Sequence, residues 1–328
     1  AKIVKRWQRK FPDNIRYLHQ PNGGPGSARN RGIDLATRPW ITFIDPDNFI
    51  DEKYFERVGD AIRSYDDLAM VSCNVVTFDE QRRAKLDDHP LRFRFATGEL
   101  LLPAMRLGRN LQLNTSSAFF RTEIIAAHSL RFDERIRPGF EDAHFDARYL
   151  LAAGERPVLF LASAVHYSRR RSDKSSLKQT GPLDPRRYDA QVRHGYLDLL
   201  RYAKDKCGTV PVQIQHTVLY SLHWQIEQIV ERPESVQFLT DDQKRTYIDL
   251  LRQVFAYLDV QAIENYDIAG MSLRHKVGLL AFFKDAAPAR QIIEARRLDR
   301  QRRLLELVFW SARRHPDELS QAERMARV

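Results

Sequence analysis

Cysteine is scarce: the 328 residues contain two, Cys73 and Cys207, far apart and without metal-type spacing. That excludes a disulfide framework and a cysteine-rich zinc site, and it reads as two unpaired core thiols in keeping with a reducing cytoplasm. Long apolar runs are missing too. The first residues hold no apolar signal-peptide core, and nowhere do about 18 apolar residues follow one another, so neither a secretory leader nor a spanning helix is expected in this sequence. Zinc-finger, RNA-recognition and helix-turn-helix signatures are also absent, and no nucleic acid partner is expected. Acidic residues are in deficit, 43 Asp and Glu against 53 Lys and Arg, a formal charge of +10. The excess favours anionic partners without choosing among nucleotides, polyanionic glycans and membrane headgroups.

What is present is organised around residues 20–51, QPNGGPGSARNRGIDLATRPWITFIDPDNFID. A turn-rich run leads into a helical pattern with Ser27 available as its cap. A short apolar run, WITFI, then ends on Asp45 and Asp47, one residue apart. Strands of this kind are usually buried in a mainly parallel sheet, which places ligands at its carboxyl edge. Pro46 breaks the strand between the two acids, so both side chains can turn toward one cavity, where oxygen ligands suit Mg2+ or Mn2+. Asp-x-Asp alone equally describes a loop whose acids cap the next helix.

The order of these parts, NGGPGSARNRG and then FIDPDNFID, resembles the donor half of family 2 glycosyltransferases of GT-A fold, over nearly all of Asn22 to Asn48. The resemblance implies a Rossmann-like, mainly parallel sheet flanked by helices. It also implies a nucleotide-sugar donor, most readily a UDP-sugar, held by Asn22, Arg29 and Asp45, with Asp47 and Asp45 as the metal side. Asn48 departs from the family, which commonly has a third acid there. The family also opens with a β-α-β unit that does not precede this stretch. AKIVKRWQRK reads as the later part of an amphipathic helix and IRYLHQ as a strand, so the sequence is expected to lack that first unit.

Residues 54–65 carry a helical apolar stripe and 68–79 read as a buried strand; 80–113 read as an irregular excursion over the acceptor side. NTSSAFF resumes the sheet, its hydroxyls serving either an acceptor sugar or neighbouring backbone. GFEDAHFDARYLLAAG forms a helix with Phe145, Tyr149 and Ala152 on one face and Glu141 and Asp142 at its start. Acids there are favoured by the helix dipole, so capping alone would explain them. In the resembled family this pattern carries the catalytic base, which points to Asp142 as the group that takes the acceptor's proton and to Glu141 as its partner. His144 and Asp146 are expected to face solvent.

After a strand ending near His166, itself a residue that either packs or approaches the metal, comes the basic loop SRRRSDKSS. Cations and hydroxyls aimed at a leaving diphosphate lower the barrier to its departure. Teichoic-acid-type members of the family carry Arg-x-x-x-His-x-Ser here, matched by Arg170, Lys174 and Ser176, with Lys replacing His. A solvated basic loop is the other reading.

From Tyr188 onward helical periodicity dominates, with Tyr220, Trp224, Phe255 and Tyr257 read as core. About two domains are expected for this length: the glycosyltransferase part over 1–180 and an all-helical domain over 181–284. A basic amphipathic helical tail or linker over 285–328 would pack on those helices or lie on an acidic membrane surface. The resemblance thus implies a metal-dependent, inverting transferase acting on a cell-surface polysaccharide or polyol-phosphate acceptor. It would work in the cytoplasm or against the inner face of the membrane, with self-association through the helices as a further partner. A non-catalytic module that binds an anionic glycan, membrane or nucleic acid is the competing reading.

Overall fold

The computed structural model describes residues 2–172 and 180–289, with the strand segments 293–299, 304–309 and 323–327. The chain begins with α1 (Lys2–Lys10) and, after a stretch without regular structure, α2 (Gly24–Leu35). The expected strand over 15–20 joins no sheet: no described strand lies beside it to pair with. There follow β1 (Trp40–Thr42), β2 (Phe49–Ile50), α3 (Tyr54–Ser64) and β3 (Met70–Asp79). The irregular excursion contains β4 (Ala84–Leu86) and β5 (Leu100–Pro103). The sheet resumes with β6 (Ala118–Arg121), α4 (Thr122–Ala127), α5 (Glu141–Ala153) and β7 (Pro157–Arg170).

In the central sheet the strands lie in the order β1, β6, β3, β7, β2, with β4 paired to β3 and β5 to β7. β3 and β7 are parallel, while β6 runs against both β1 and β3. β1, β3 and β7 therefore share one direction, and the chain leaves β1 and β7 at the same edge. That edge is where the site forms, as α/β sheets dictate.

The sheet is packed on both faces. On one, Tyr54 and Val58 of α3 cover Val71, Cys73, Leu159 and Leu161. On the other, Phe145 and Tyr149 of α5 meet Phe43, Phe120 and Phe160. Phe132 stacks on Phe145 at 4.1 Å. Each such ring buried contributes about 2 to 3 kcal/mol. The Tyr149 hydroxyl donates to the Ala69 carbonyl at 2.5 Å and accepts from the Arg121 amide at 2.8 Å, pinning α5 to the sheet.

Beyond Gly181 the chain is helical. A π-helical segment, Gln191–Leu197, leads into α6 (Asp198–Cys207), followed by α7 (Val212–Glu231), α8 (Asp241–Ala256), α9 (Val260–Glu264) and α10 (Leu273–Lys284). Their core takes in Ala147 and Leu151, from the second face of α5. α5 is thus a shared wall, and this overturns the solvent-facing expectation for two of its residues. His144 and Asp146 are fully buried. The His144 ring Nε2 lies 2.8 Å from Asp198 Oδ2 at the start of α6.

Two further expectations change. Cys207 is exposed and only Cys73 is a core thiol. The stretch expected as a basic amphipathic helix contains β8 (Ile293–Asp299), β9 (Leu304–Phe309) and β10 (Glu323–Arg327), an antiparallel sheet of its own. LLELVF, apolar but for Glu306, is paired on both sides, by β8 and β10; a short run of this kind suits a strand as well as a helix. Of the helical aromatics, Phe255 is buried as expected whereas Trp224 is among the exposed large side chains.

Candidate active site

The Asp-Pro-Asp-Asn turn is fixed by β2. Phe49 pairs with Tyr167 and Ile50 with His166, the Asn48 amide donates to the Asp45 carbonyl at 3.0 Å, and Asn48 Oδ1 accepts from the Arg169 amide at 3.1 Å. The neutral amide at 48 therefore ties the acidic turn to the end of β7 and the start of the basic loop. His166 is wholly buried within β7.

α2 begins at Gly24, whose φ of +84° is a left-handed conformation that favours glycine. Asn22 Oδ1 accepts from the Gly24 amide at 3.0 Å, with Pro25 in the first turn. Ser27, the expected cap, lies inside the helix and accepts instead from Gln20 Nε2 at 3.4 Å. Asn22 and the glycine turn line a cleft of about 300 Å3 whose other wall includes Arg137, Arg186 and Glu141.

Arg29 projects from α2 into the middle of the site. Its Nη2 donates to Asp45 Oδ1 at 3.0 Å, and its Nη1 to Glu141 Oε1 at 3.4 Å and to Asp142 Oδ1. The guanidinium lies 5.3 Å from the centre of the Phe132 ring. One planar cation thus gathers the first acid of the turn and both acids at the start of α5. Ser116, in the turn before β6, adds a longer contact to Asp45 Oδ2 at 3.4 Å.

Those acids sit where ionisation is costly. Burial, then the Asp142 charge, pushes the Glu141 carboxyl up, against the opposing pull of Arg29. Asp142 is likewise pushed up, by burial and by Asp45, with Arg29 again opposing. A carboxylate raised in this way is a better proton acceptor than a solvated one. Asp146, one turn further along α5, is held well above the usual carboxylate range by burial and by Asp142. Neither of its oxygens has a hydrogen-bond partner among the described residues.

The start of α5 is set by Phe140, which takes the left-handed conformation at φ +82°, an unusual state for a residue with a bulky side chain. Its ring is held edge-on by Tyr196 at 4.7 Å, in the π-helical segment.

Asp47 Oδ2 is 2.9 Å from Arg171 Nη2. The expected phosphate ligand Arg170 turns elsewhere, to Asp88 at 2.8 Å and Asp79 at 3.6 Å. Lys174 and Ser176 lie outside the described residues. Sequence reasoning missed Arg171 and Phe132, and it offered the Ser116 hydroxyl to an acceptor sugar or backbone where it instead reaches Asp45. For Arg171 a signal existed: side chains alternate along a strand, so neighbours in an Arg-Arg-Arg run leave on opposite sides.

Among the described residues no three His, Cys, Asp or Glu side chains gather into a metal site. Two acids on one turn nevertheless fit a divalent ion of the kind whose remaining ligands are water and substrate phosphates, the usual habit of Mg2+.

The fold is of GT-A type, and residues 1–126 match the family described as glycosyl transferase family 2. Over 276 residues it is 27% identical to the minor teichoic acid biosynthesis protein GgaB of Bacillus subtilis, covering 83% of this chain and 29% of GgaB. It is 27% identical over 136 residues to the uncharacterized glycosyltransferase YibD of Escherichia coli, over 40% of this chain and 39% of that protein. The chain thus spans well under half the length of these relatives. The fold is shared with S. aureus TarS residues 1–349 solved with UDP-GlcNAc, at a TM-score of 0.61 and 14% identity, over 87% of this chain and 74% of that one.

Proposed function

We propose that this chain transfers a sugar, with inversion, from a UDP-sugar to a hydroxyl of a polyol-phosphate or related cell-surface polymer. The observation that carries the reading is Arg29: a single guanidinium spans from Asp45 on the donor-side turn to Asp142 and Glu141 on α5. Asn22, Arg29 and Asp45 hold the nucleotide. Asp47 and Asp45 hold Mn2+ or Mg2+, which when bound neutralises charge on the diphosphate. Asp142 accepts the acceptor's proton as its oxygen bonds to the anomeric carbon and the bond to the diphosphate breaks. Glu141 orients that hydroxyl or the base itself. Arg170, Lys174 and Ser176 belong to the loop that covers the leaving group, a service of cations near developing phosphate charge.

Support for the donor comes from the UDP-GlcNAc complex of TarS, and for the acceptor class from the name of GgaB. On this reading residues 1–180 carry the chemistry, and the helices of 181–284 engage the acceptor polymer or a second copy of the chain. No helix among the described residues is long and apolar enough to cross a membrane, and we place the enzyme at the cytoplasmic side, in peripheral contact with the membrane.

The test is hydrolysis or transfer of a UDP-sugar with and without Mn2+. Activity that needs the ion, vanishes in Asp47→Ala and falls in Asp142→Asn supports the reading. Salt-sensitive binding of a polyanion, with no turnover and indifferent to both changes, would mark a binding module instead.

A further inference from the structure

Asp47, the acid assigned to the metal, is already paired with a cation. Arg171 Nη2 lies 2.9 Å from its Oδ2, with the two side chains 35% and 28% exposed. Both ends of the pair therefore reach solvent, and solutes can compete for either.

The backbone around Arg171 is anchored on both sides. Before it, the Arg169 amide donates to Asn48 Oδ1 at 3.1 Å, and the Arg170 carbonyl accepts from the Glu80 amide at 3.2 Å. After it, the Ser172 amide donates to Glu80 Oε2 at 3.1 Å. The neighbouring arginines face other acids, Arg169 toward Glu80 at 3.7 Å and Arg170 toward Asp88 at 2.8 Å. Of these three arginines, the one directed at the acidic turn is Arg171.

We propose that Arg171 is an exchangeable counter-ion. It neutralises Asp47 while the donor is absent, gives up the carboxylate to a divalent ion, and then bonds the donor diphosphate from the same anchored backbone. The inference rests on the donor reading above. A guanidinium and a divalent ion compete for the Asp47 carboxylate, because two cations held that close on one charge repel each other. Loading the site turns the Arg171 guanidinium away from Asp47 and toward the arriving diphosphate, a group its fork matches with two parallel bonds. The cation that lowers metal affinity in the empty site thus raises nucleotide affinity in the loaded one, so metal and nucleotide favour each other's binding.

The two halves of the exchange predict opposite shifts in one variant. Mn2+ binding to the purified chain is measured by the paramagnetic resonance signal of free Mn2+, without nucleotide, and UDP binding by calorimetry at saturating Mn2+. Arg171→Gln is expected to bind Mn2+ roughly two- to fivefold more tightly, the loss of one partly exposed ion pair, and to bind UDP about tenfold more weakly, the loss of a charge-assisted bond. Arg171→Lys should lie between the two on both measurements, and a melting curve reports whether each variant is folded. Unchanged Mn2+ affinity in Arg171→Gln overturns the proposal, as does tighter Mn2+ binding with unchanged UDP affinity. Asp47→Asn separates this failure from a failure of the donor reading: if it binds Mn2+ as the parent chain does, the turn is not the metal site at all.

Discussion

A Cβ added at Gly195 would lie 2.8 Å from Cδ1 of Phe140. Phe140 is the left-handed residue that launches α5 and so aims Glu141 and Asp142. Gly195→Ala must push that ring, and with it the start of the helix. On the proposed function the expected outcome is a fall in kcat of tenfold or more, on the scale of small misplacements of a reacting group, with Mn2+ affinity unchanged. Steady-state kinetics beside a Mn2+ titration checks it.

Arg29 balances three carboxylates, and removing it leaves them facing one another. Arg29→Met should destabilise the chain by about 3 kcal/mol, the cost of breaking a largely buried ion pair from one side. The readout is a urea unfolding curve. Adding Asp142→Asn to Arg29→Met should recover part of the loss, since one fewer stranded charge remains.

Asp146 gives a pH-dependent stability of definite sign. Its carboxyl is held well above the usual range in the folded chain, so the folded state binds its proton where the unfolded state has lost it. Its contribution is full below the unfolded value and is lost as pH rises through the folded one. Stability should therefore decline as pH rises above the ordinary carboxylate range. Asp146→Asn should flatten that decline and melt higher than the parent chain at pH 8.

On the proposed function, the pair at the start of α5 shapes the pH profile of turnover. Burial raises both Glu141 and Asp142, joined at Glu141 by the Asp142 charge and at Asp142 by the Asp45 charge, so the acidic limb of kcat/KM should lie above the ordinary carboxylate range. Glu141→Gln removes the neighbouring charge and should shift that limb to lower pH. A limb that does not move in Glu141→Gln would show that the two acids do not titrate together.

The parts of the site written within short segments were legible in the sequence. Asp45 and Asp47 straddle a proline at the end of an apolar run, and Glu141 and Asp142 open a periodic helix; each needs only its own neighbours to be read. Arg29 was legible as a family position, though nothing local announced that it would join acids 16 and 113 residues away. What stayed hidden depends on distant partners. His144 and Asp146 look solvent-facing while α5 is thought to have one buried side, and they become core only because the helical segments from Gln191 onward cover the other. The segment 15–20 alternates like a strand, and alternation does not supply a neighbour. The run LLELVF has a stripe fitting either period, and the flanking strands that decide it are not encoded within it.

Because α5 is packed by the sheet on one side and by the helical region on the other, the carboxylate assigned to proton removal rides on a rod gripped at two places. A strain placed on the helical region therefore has a direct path through α5 to Glu141 and Asp142.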